Sequence, residues 1–253
     1  MELYDAIFYR KSIKKYSKNR ISIDMFEEVK KLCEDIDLLN KDINVKAHPI
    51  LKGDSLKFII KKKSRIVAPH YVLITSEIPE EIDGHLESVG FVGEKIVLRL
   101  TELGLGSCWI GESFDKKSIN DFVHLEEGEE PIALIAFGFP ESRENLFRTN
   151  EEKIDRKSIK EIAKNIDEKW LKAIECVRLA PSYKDAQPWR FYGDRNLLNI
   201  YRKKVGEESI SKIDMGIALR HFDIGCKYHG IEFEYIKTNA KKKLRMDYYI
   251  SIK

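Results

Sequence analysis

The chain has 253 residues, 43% hydrophobic and 10% aromatic, enough for one large domain or two small ones with an ordinary core. Charged residues make up 34%, yet the signs nearly cancel to a net charge of +3, which excludes an acidic-tail or histone-like protein. Four widely spaced cysteines without a C-x-x-C pair and six scattered histidines speak against a zinc module, and no apolar run approaches the roughly 20 residues of a membrane span.

In chain order, the N-terminal Met-Glu-Leu-Tyr-Asp lacks the basic and apolar regions of a signal peptide, so a reducing cytoplasm is the expected compartment. Arg10-Lys11-Ser12-Ile13-Lys14 combines cations with a hydroxyl, a donor set suited to a phosphate; the competing reading is a solvated basic helix start. Phe26, Val29, Leu32 and Cys33 are spaced by three and four, which predicts an amphipathic helix with Asp24 at its N-cap. Lys61-Lys62-Lys63, like Lys241-Lys242-Lys243 further on, has no aromatic platform interleaved with it. Both runs read as solvated loops and edges, and no nucleic-acid partner is expected. Tyr71 to Ser76 reads as a strand, and Ser88 to Gly104 as a long helix that begins near Gly90 and ends at a C-cap glycine.

Gly104-Leu-Gly-Ser-Cys-Trp-Ile-Gly111 then predicts a tight small-residue turn with amides free for a planar polar ring edge. An apolar strand, Pro131 to Phe137, is closed by Gly138-Phe139-Pro140. A second amphipathic helix carries Trp170, Ile174 and Val177 behind Asp167 as N-cap. Ala180-Pro181-Ser182-Tyr183-Lys184-Asp185-Ala186-Gln187-Pro188-Trp189 reads as a lid-like loop, stiffened by its prolines and anchored in the core by Trp189. Cys33, Cys176 and Cys226 fall in apolar helical stretches and read as core residues, and His221 and His229 as structural.

The chain also repeats itself. Arg10-Lys-Ser-Ile-Lys14 recurs as Arg156-Lys-Ser-Ile-Lys160, Ser88 to Gly104 aligns without gaps to Asp214 to Gly230, and at the same offset Tyr71 to Ser76 matches Leu197 to Arg202. Two related halves are therefore expected, 1 to about 150 and 151 to 253. They are unequal: the first has the glycine turn, the second the Gln-Pro-Trp loop, which argues for one composite site.

These motifs resemble the nitroreductase family of FMN enzymes. That family opens with an Arg-Arg-Ser-x-Arg type motif and continues with Ala-Pro-Ser-x-x-Asn-x-Gln-Pro-Trp, a helix ending Gly-Leu-Gly-Ser/Thr-Cys-Trp-Ile-Gly, a strand ending Gly-Tyr-Pro and an Arg-Lys-Pro-Leu arm. Arg10 to Lys14, Ala180 to Trp189, Gly104 to Gly111, Gly138 to Pro140 and Arg156 to Ile159 match them. The order departs from the family's, since the Gln-Pro-Trp loop would follow the first helix near residue 40, where Leu39 to Pro49 stands instead. The chain thus resembles a tandem-duplicated subgroup. The resemblance implies an α+β nitroreductase-like fold, a mainly antiparallel sheet flanked by helices, with two related halves forming an intrachain pseudo-dimer that works as a monomer or a homodimer.

By the same resemblance Arg10 and Ser12 hold the FMN phosphate, Lys11 adds backbone or ribityl contacts, and Lys14 faces the flavin edge where negative charge develops. Trp109, Ile110 and Gly111 run alongside the ring, with the Gly111 amide toward N5. Arg156, or alternatively Arg148, comes in from the arm, and Pro181, Ser182, Tyr183 and Gln187 cover the other edge. No residue is catalytic in its own right and no metal is implied. NAD(P)H enters transiently, without a Rossmann fingerprint, and hydride passes in ping-pong fashion to a nitro, quinone or similar small-molecule acceptor. The alternatives are a flavin-binding, sensing or storage protein without turnover, and a flavin-processing or dehalogenating relative. Two departures bear on substrate range: Asp185 replaces an asparagine, a charge that would repel an anionic substrate, and Tyr183 replaces a commonly small residue.

Overall fold

A computed structural model describes residues 1–60, 66–78, 80–149, 152, 154–194 and 196–253, with the side chain of Asp54 left aside. Lys61-Lys62-Lys63 lies outside the described residues. The chain divides into two compact units, Met1–Glu152 and Lys153–Lys253.

The first unit contains α1 (Leu3–Tyr9), α2 (Ile23–Glu34), β1 (Val45–Ile50), β2 (His70–Glu77), α3 (His85–Glu102), β3 (Gly106–Gly111) and β4 (Glu129–Gly138). Its strands form one antiparallel sheet in the order β1-β2-β4-β3. The β2 and β4 side chains are almost all buried, as their near-continuous apolar runs require of central strands. On one face Leu73, Leu134, Ala136, Cys108 and Ile110 pack with Phe114 and Ile119 into a single cluster.

The second unit contains α4 (Ile159–Ile162), β5 (Ala163–Lys164), α5 (Leu171–Leu179), β6 (Trp189–Asp194), β7 (Leu197–Lys203), α6 (Glu208–Tyr228), β8 (Tyr235–Ile236) and β9 (Met246–Ile252). Its sheet runs β5-β6-β7-β9-β8, with β5 parallel to β6 and the other neighbours antiparallel. Without β5, this order and these directions repeat those of the first sheet, and in both units the long helix is inserted after the second strand. The fold is α+β.

The two long helices end alike. Gly104 (φ +73) and Gly230 (φ +63) take the left-handed conformation, and Leu105 and Ile231 N–H groups close back onto the Leu100 and Cys226 carbonyls. α3 starts upstream of Gly90, where its beginning was expected, because burial continues through Glu87 to Val89, and α6 likewise starts upstream of the aligned Asp214, with Ser211 buried. Ser22, rather than Asp24, caps α2 by accepting the Met25 N–H, which leaves Asp24 in the first turn where its charge suits the helix dipole. Asp167 accepts the Lys169 N–H and caps the short turn that runs into α5. All four cysteines are buried, and burial pushes the Cys33 and Cys226 thiols up to about 12. His221 is buried with Nδ1 at 3.0 Å from the Cys176 carbonyl, a structural role.

The lysine run at 241–243 has aromatic neighbours in space that it lacks in sequence. Lys243 Nζ stands 3.8 Å above the Tyr192 ring and 5.5 Å from Tyr201, because β6, β7 and β9 bring Tyr192, Tyr201 and Tyr248 side by side. The lysine occupies the ring face itself, so this is a capped cluster rather than an open base-stacking platform. Among the described residues no helix is long and apolar enough to cross a membrane, and no group of three His, Cys, Asp or Glu side chains is arranged for a metal.

Glu129 ties the first sheet together across three strands. It accepts from Thr75 Oγ1, from the Glu126 N–H at 3.1 Å and from His48 Nε2 at 2.5 Å. Burial alone would raise its pKa; the hydrogen bonds from Thr75, Glu126 and His48 outweigh that and hold it below the ordinary carboxylate range. A folded-state pKa below the unfolded value means that the contribution is present above about pH 4.3 and is lost as pH falls through the folded value. Glu129→Gln is therefore expected to lose about 1–3 kcal/mol in urea unfolding near about pH 7 and distinctly less near about pH 3. Equal losses at both pH values would show that the charge is immaterial.

Candidate functional site

The first unit brings its two motifs together through backbone contact. α1 ends at Arg10, so the Arg10–Lys14 segment leaves a helix instead of starting one. Ser12 forms a parallel bridge with Ser107, and the Ile13 N–H donates to the Ser107 carbonyl at 2.9 Å. The segment continues along the Gly-Phe-Pro end of β4, where Tyr16 bridges Pro140 and the Ser17 N–H donates to the Phe139 carbonyl. Gly106 permits this crossing: a Cβ there would lie 2.6 Å from Ile13 Cγ1.

Arg10 is only 3% exposed and donates from Nη2 to Ser12 Oγ at 3.1 Å. The Cys108 thiol on β3 reports on this neighbourhood. Burial raises its pKa, while the Arg10 and Lys14 charges and the Ser12 hydroxyl act against that rise. Arg10 and Ser12 thus lie beside β3, and the Lys14 charge acts on the same thiol. Lys11 does not join them, since its ammonium pairs with Glu152 at 2.6 Å. Arg148 is fastened to the end of α1, its N–H on the Tyr9 carbonyl at 2.7 Å and Nη1 on the Phe8 carbonyl at 3.3 Å.

Residues 106–111 form a strand rather than the expected turn. The ladder with β4 takes up their backbone, and the positive-φ glycines stand just before and at its end, Gly104 at +73° and Gly111 at +62°. The pairing passes from Trp109↔Ile135 to Gly111↔Leu134, so Ile110 is the extra residue of a β-bulge. Bulges re-aim the local backbone and are frequent beside active sites. The Trp109 ring is committed to the scaffold. Its Nε1 donates to buried Glu94 at 2.8 Å, and its edge occupies the space a side chain at Gly93 would need.

In the second unit, the Ala180–Trp189 loop is held in a strained shape. Lys184, Asp185 and Gln187 have φ of +50°, +52° and +43°, each costing of the order of 1–3 kcal/mol unless the surroundings impose it. The surroundings do so. The Tyr183 N–H donates to both carboxylate oxygens of Asp214 on α6, at 3.1 and 3.2 Å, and the Gln187 N–H donates to Ser182 Oγ at 2.9 Å. Arg156 pairs with Asp185 at 2.7 Å, which offsets the negative charge that Asp185 was expected to present to an anionic substrate. An acidic side chain at 185 is also among those that tolerate the left-handed region.

Pro181 is buried, Ser182 half-buried and Tyr183 exposed, with Lys184 Nζ 5.2 Å from the Tyr183 ring centre. Trp189 is fully buried, as its anchoring role requires. Gln187 is only 1% exposed; its Oε1 accepts the Lys157 N–H at 2.7 Å and its Nε2 donates to the Arg178 carbonyl at 3.1 Å. Its side chain shapes the loop from within rather than covering a ligand edge. Gln187→Ala is expected to cost about 1–3 kcal/mol, because two backbone groups lose their partner. Chemical denaturation measures this, and an unchanged midpoint would contradict it.

The second Arg-Lys-Ser-Ile-Lys copy is not equivalent to the first in structure. Ser158 and Glu161 form a capping box that starts α4, whereas the first copy follows a helix and lies on a strand. Asp214, Glu94 and the Ile110 bulge have no local sequence signal, since each acts on a partner distant in the chain.

Residues 2–226 match the protein family described as "Putative TM nitroreductase". Among solved structures, the chain is similar to a "putative nitroreductase" of Thermotoga maritima, with 21% identity and a TM-score of 0.64 over 100% of this chain and 93% of that one. It is also similar to a "Putative NADH dehydrogenase/NAD(P)H nitroreductase" of Bacteroides thetaiotaomicron, with 19% identity and a TM-score of 0.50 over 64% of this chain and 96% of that one. No curated protein matches the sequence.

Proposed function

From the match over residues 2–226 the chain belongs to the nitroreductase family, and on that premise we propose that it is an FMN-dependent oxidoreductase taking hydride from NADH or NADPH. Its acceptors are nitro compounds, quinones or similar electron-poor molecules. The observation that carries this reading is the Ser12–Ser107 bridge, which lays the basic segment on the bulged strand.

The donor set fits the cofactor. Arg10 and Ser12 supply a buried guanidinium and a hydroxyl for a phosphate dianion, which cannot be buried without such partners. Lys14 supplies a cation to a ring edge on which negative charge accumulates. The backbone of the Ile110 bulge and Gly111 is the part of β3 proposed to run along the ring. Arg148, anchored at the end of α1, is the arm residue best placed to reinforce Arg10, while Arg156 serves the loop through Asp185. Lys11 is assigned to the Glu152 pair and Gln187 to loop support. Within the second unit, Asp214 holds the Pro181–Tyr183 segment in shape. When bound, FMN supplies the hydride chemistry that none of these side chains can perform.

The test is an anaerobic titration of the FMN-loaded protein with NADH and NADPH. Loss of the flavin absorbance at roughly 450 nm, regained on adding a nitroaromatic or quinone, is the expected result. Tight FMN binding without reduction by either dinucleotide would overturn the oxidoreductase assignment in favour of a binding or sensing role.

A further inference from the structure

The second unit gathers cations around the base of its strained loop. Lys157 Nζ donates to the Ala186 carbonyl and reaches the Gln187 carbonyl at 3.5 Å. Arg190, only 8% exposed, donates from Nη1 to the same Gln187 carbonyl at 2.8 Å and to the Trp189 carbonyl at 2.5 Å. The Lys203 N–H donates to the Pro188 carbonyl at 2.7 Å, which fixes Lys203 opposite the loop's last proline. In the β6–β7 register Arg190 faces Tyr201, and Lys203 follows Tyr201 by two, so Arg190 and Lys203 share a face of the sheet.

None of the three cations has an ion pair with a carboxylate among the described residues, and the Lys157 and Arg190 side chains bond to backbone carbonyls. Glu161 is the carboxylate whose charge acts on Lys157 and Arg190, and it bonds the Ser158 N–H and Oγ, each at 2.8 Å, as a helix cap. Burial, then the Arg190 and Lys203 charges, hold the Lys157 ammonium below its ordinary pKa, and burial does the same to Arg190. The loop carbonyls and Glu161 meet part of the cost of gathering these like charges, and an anion among the three would meet the rest.

We propose that Lys157, Arg190 and Lys203 form an anion site in the C-terminal unit that takes the dianion of a phosphate or phosphate monoester. The guanidinium supplies a planar fork matched to phosphate oxygens, and the two ammonium groups supply point charges. The chemistry is shared by a free phosphate and by the extra ribose phosphate that separates NADPH from NADH. The site does not depend on the flavin assignment, and its ligand can be read without turnover.

The experiment uses the full-length, FMN-loaded protein at constant ionic strength. Inorganic phosphate is expected to raise Tm saturably, with chloride at equal ionic strength as the blank. Lys203→Gln, on a half-buried residue, is expected to weaken that phosphate response about tenfold while leaving FMN affinity unchanged, and Arg190→Gln to weaken it further. Because Arg190→Gln alters a buried residue, the Lys203 variant carries the test should the other fail to fold. Binding of NADPH and NADH is measured in parallel: an NADPH preference lost in Lys203→Gln assigns the site to the dinucleotide, and a phosphate response with no such preference assigns it to free phosphate. A Tm that phosphate does not raise beyond the chloride blank, or a response unchanged in the variant, would overturn the proposal. Intact FMN binding in the same samples keeps that failure separate from the flavin reading.

Discussion

Arg10→Ala is expected to weaken FMN binding by about a hundredfold, the largest loss from any single side chain of the proposed phosphate cradle. Hydrogen bonds to a charged group contribute about 1.5–3 kcal/mol each, and a guanidinium able to make two of them accounts for a loss of that size. The near-complete burial of Arg10 beside Ser12 adds to the effect, because a dianion left there without its cation is poorly solvated. Arg10→Lys keeps the charge without the fork and is expected to recover part of the affinity. Flavin fluorescence quenching on titration measures both variants. Equal affinity in wild type and Arg10→Ala would remove this residue from the phosphate site.

Gly106→Val is expected to damage stability and flavin binding together. A Cβ at this position meets Ile13 Cγ1 at 2.6 Å and Ile13 Cβ at 3.0 Å, so the 12–14 segment must lift off β3. Overpacking of this kind costs about 1–3 kcal/mol. The displacement also carries Arg10, Ser12 and Lys14 away from the strand, so FMN affinity falls by more than the change in stability alone would produce. Shortening the opposing side chain relieves the clash, and the double variant Gly106→Val with Ile13→Ala is expected to be more stable than the sum of its parts. Urea unfolding and flavin titration of the four-protein cycle test this. Strict additivity would mean that the two residues do not meet.

Much of the scaffold could be read from periodicity. Of the first stripe Phe26, Val29 and Cys33 are buried and Leu32 is half-buried; Trp170, at the entry to α5, and Ile174 and Val177 on it are buried, and the paired glycines 104 and 230 end their helices in the same left-handed turn. These features are local, with each residue's neighbours close in sequence. What escaped is long-range. Lys11 looks like part of a phosphate motif until Glu152, 141 residues away, takes its charge. Gln187 looks like a ligand contact until Lys157 and Arg178 use both ends of its amide. The Gly106–Gly111 segment has turn composition, yet the β4 ladder draws it out into a strand. Arg190 and Lys203 are ordinary strand residues until the register places them on one face. In each case the deciding partner belongs to another element, and no pattern within a window of the sequence contains it.

The central claim is that the Arg10–Lys14 segment laid on β3 holds the phosphate of a flavin. The direct measurement is the molar ratio of bound FMN to chain, from flavin absorbance against protein mass in the purified, flavin-saturated protein, repeated for Arg10→Ala. One flavin per chain, weakened by the substitution, is the predicted result. Two flavins per chain, none, or one that is insensitive to the substitution would contradict it.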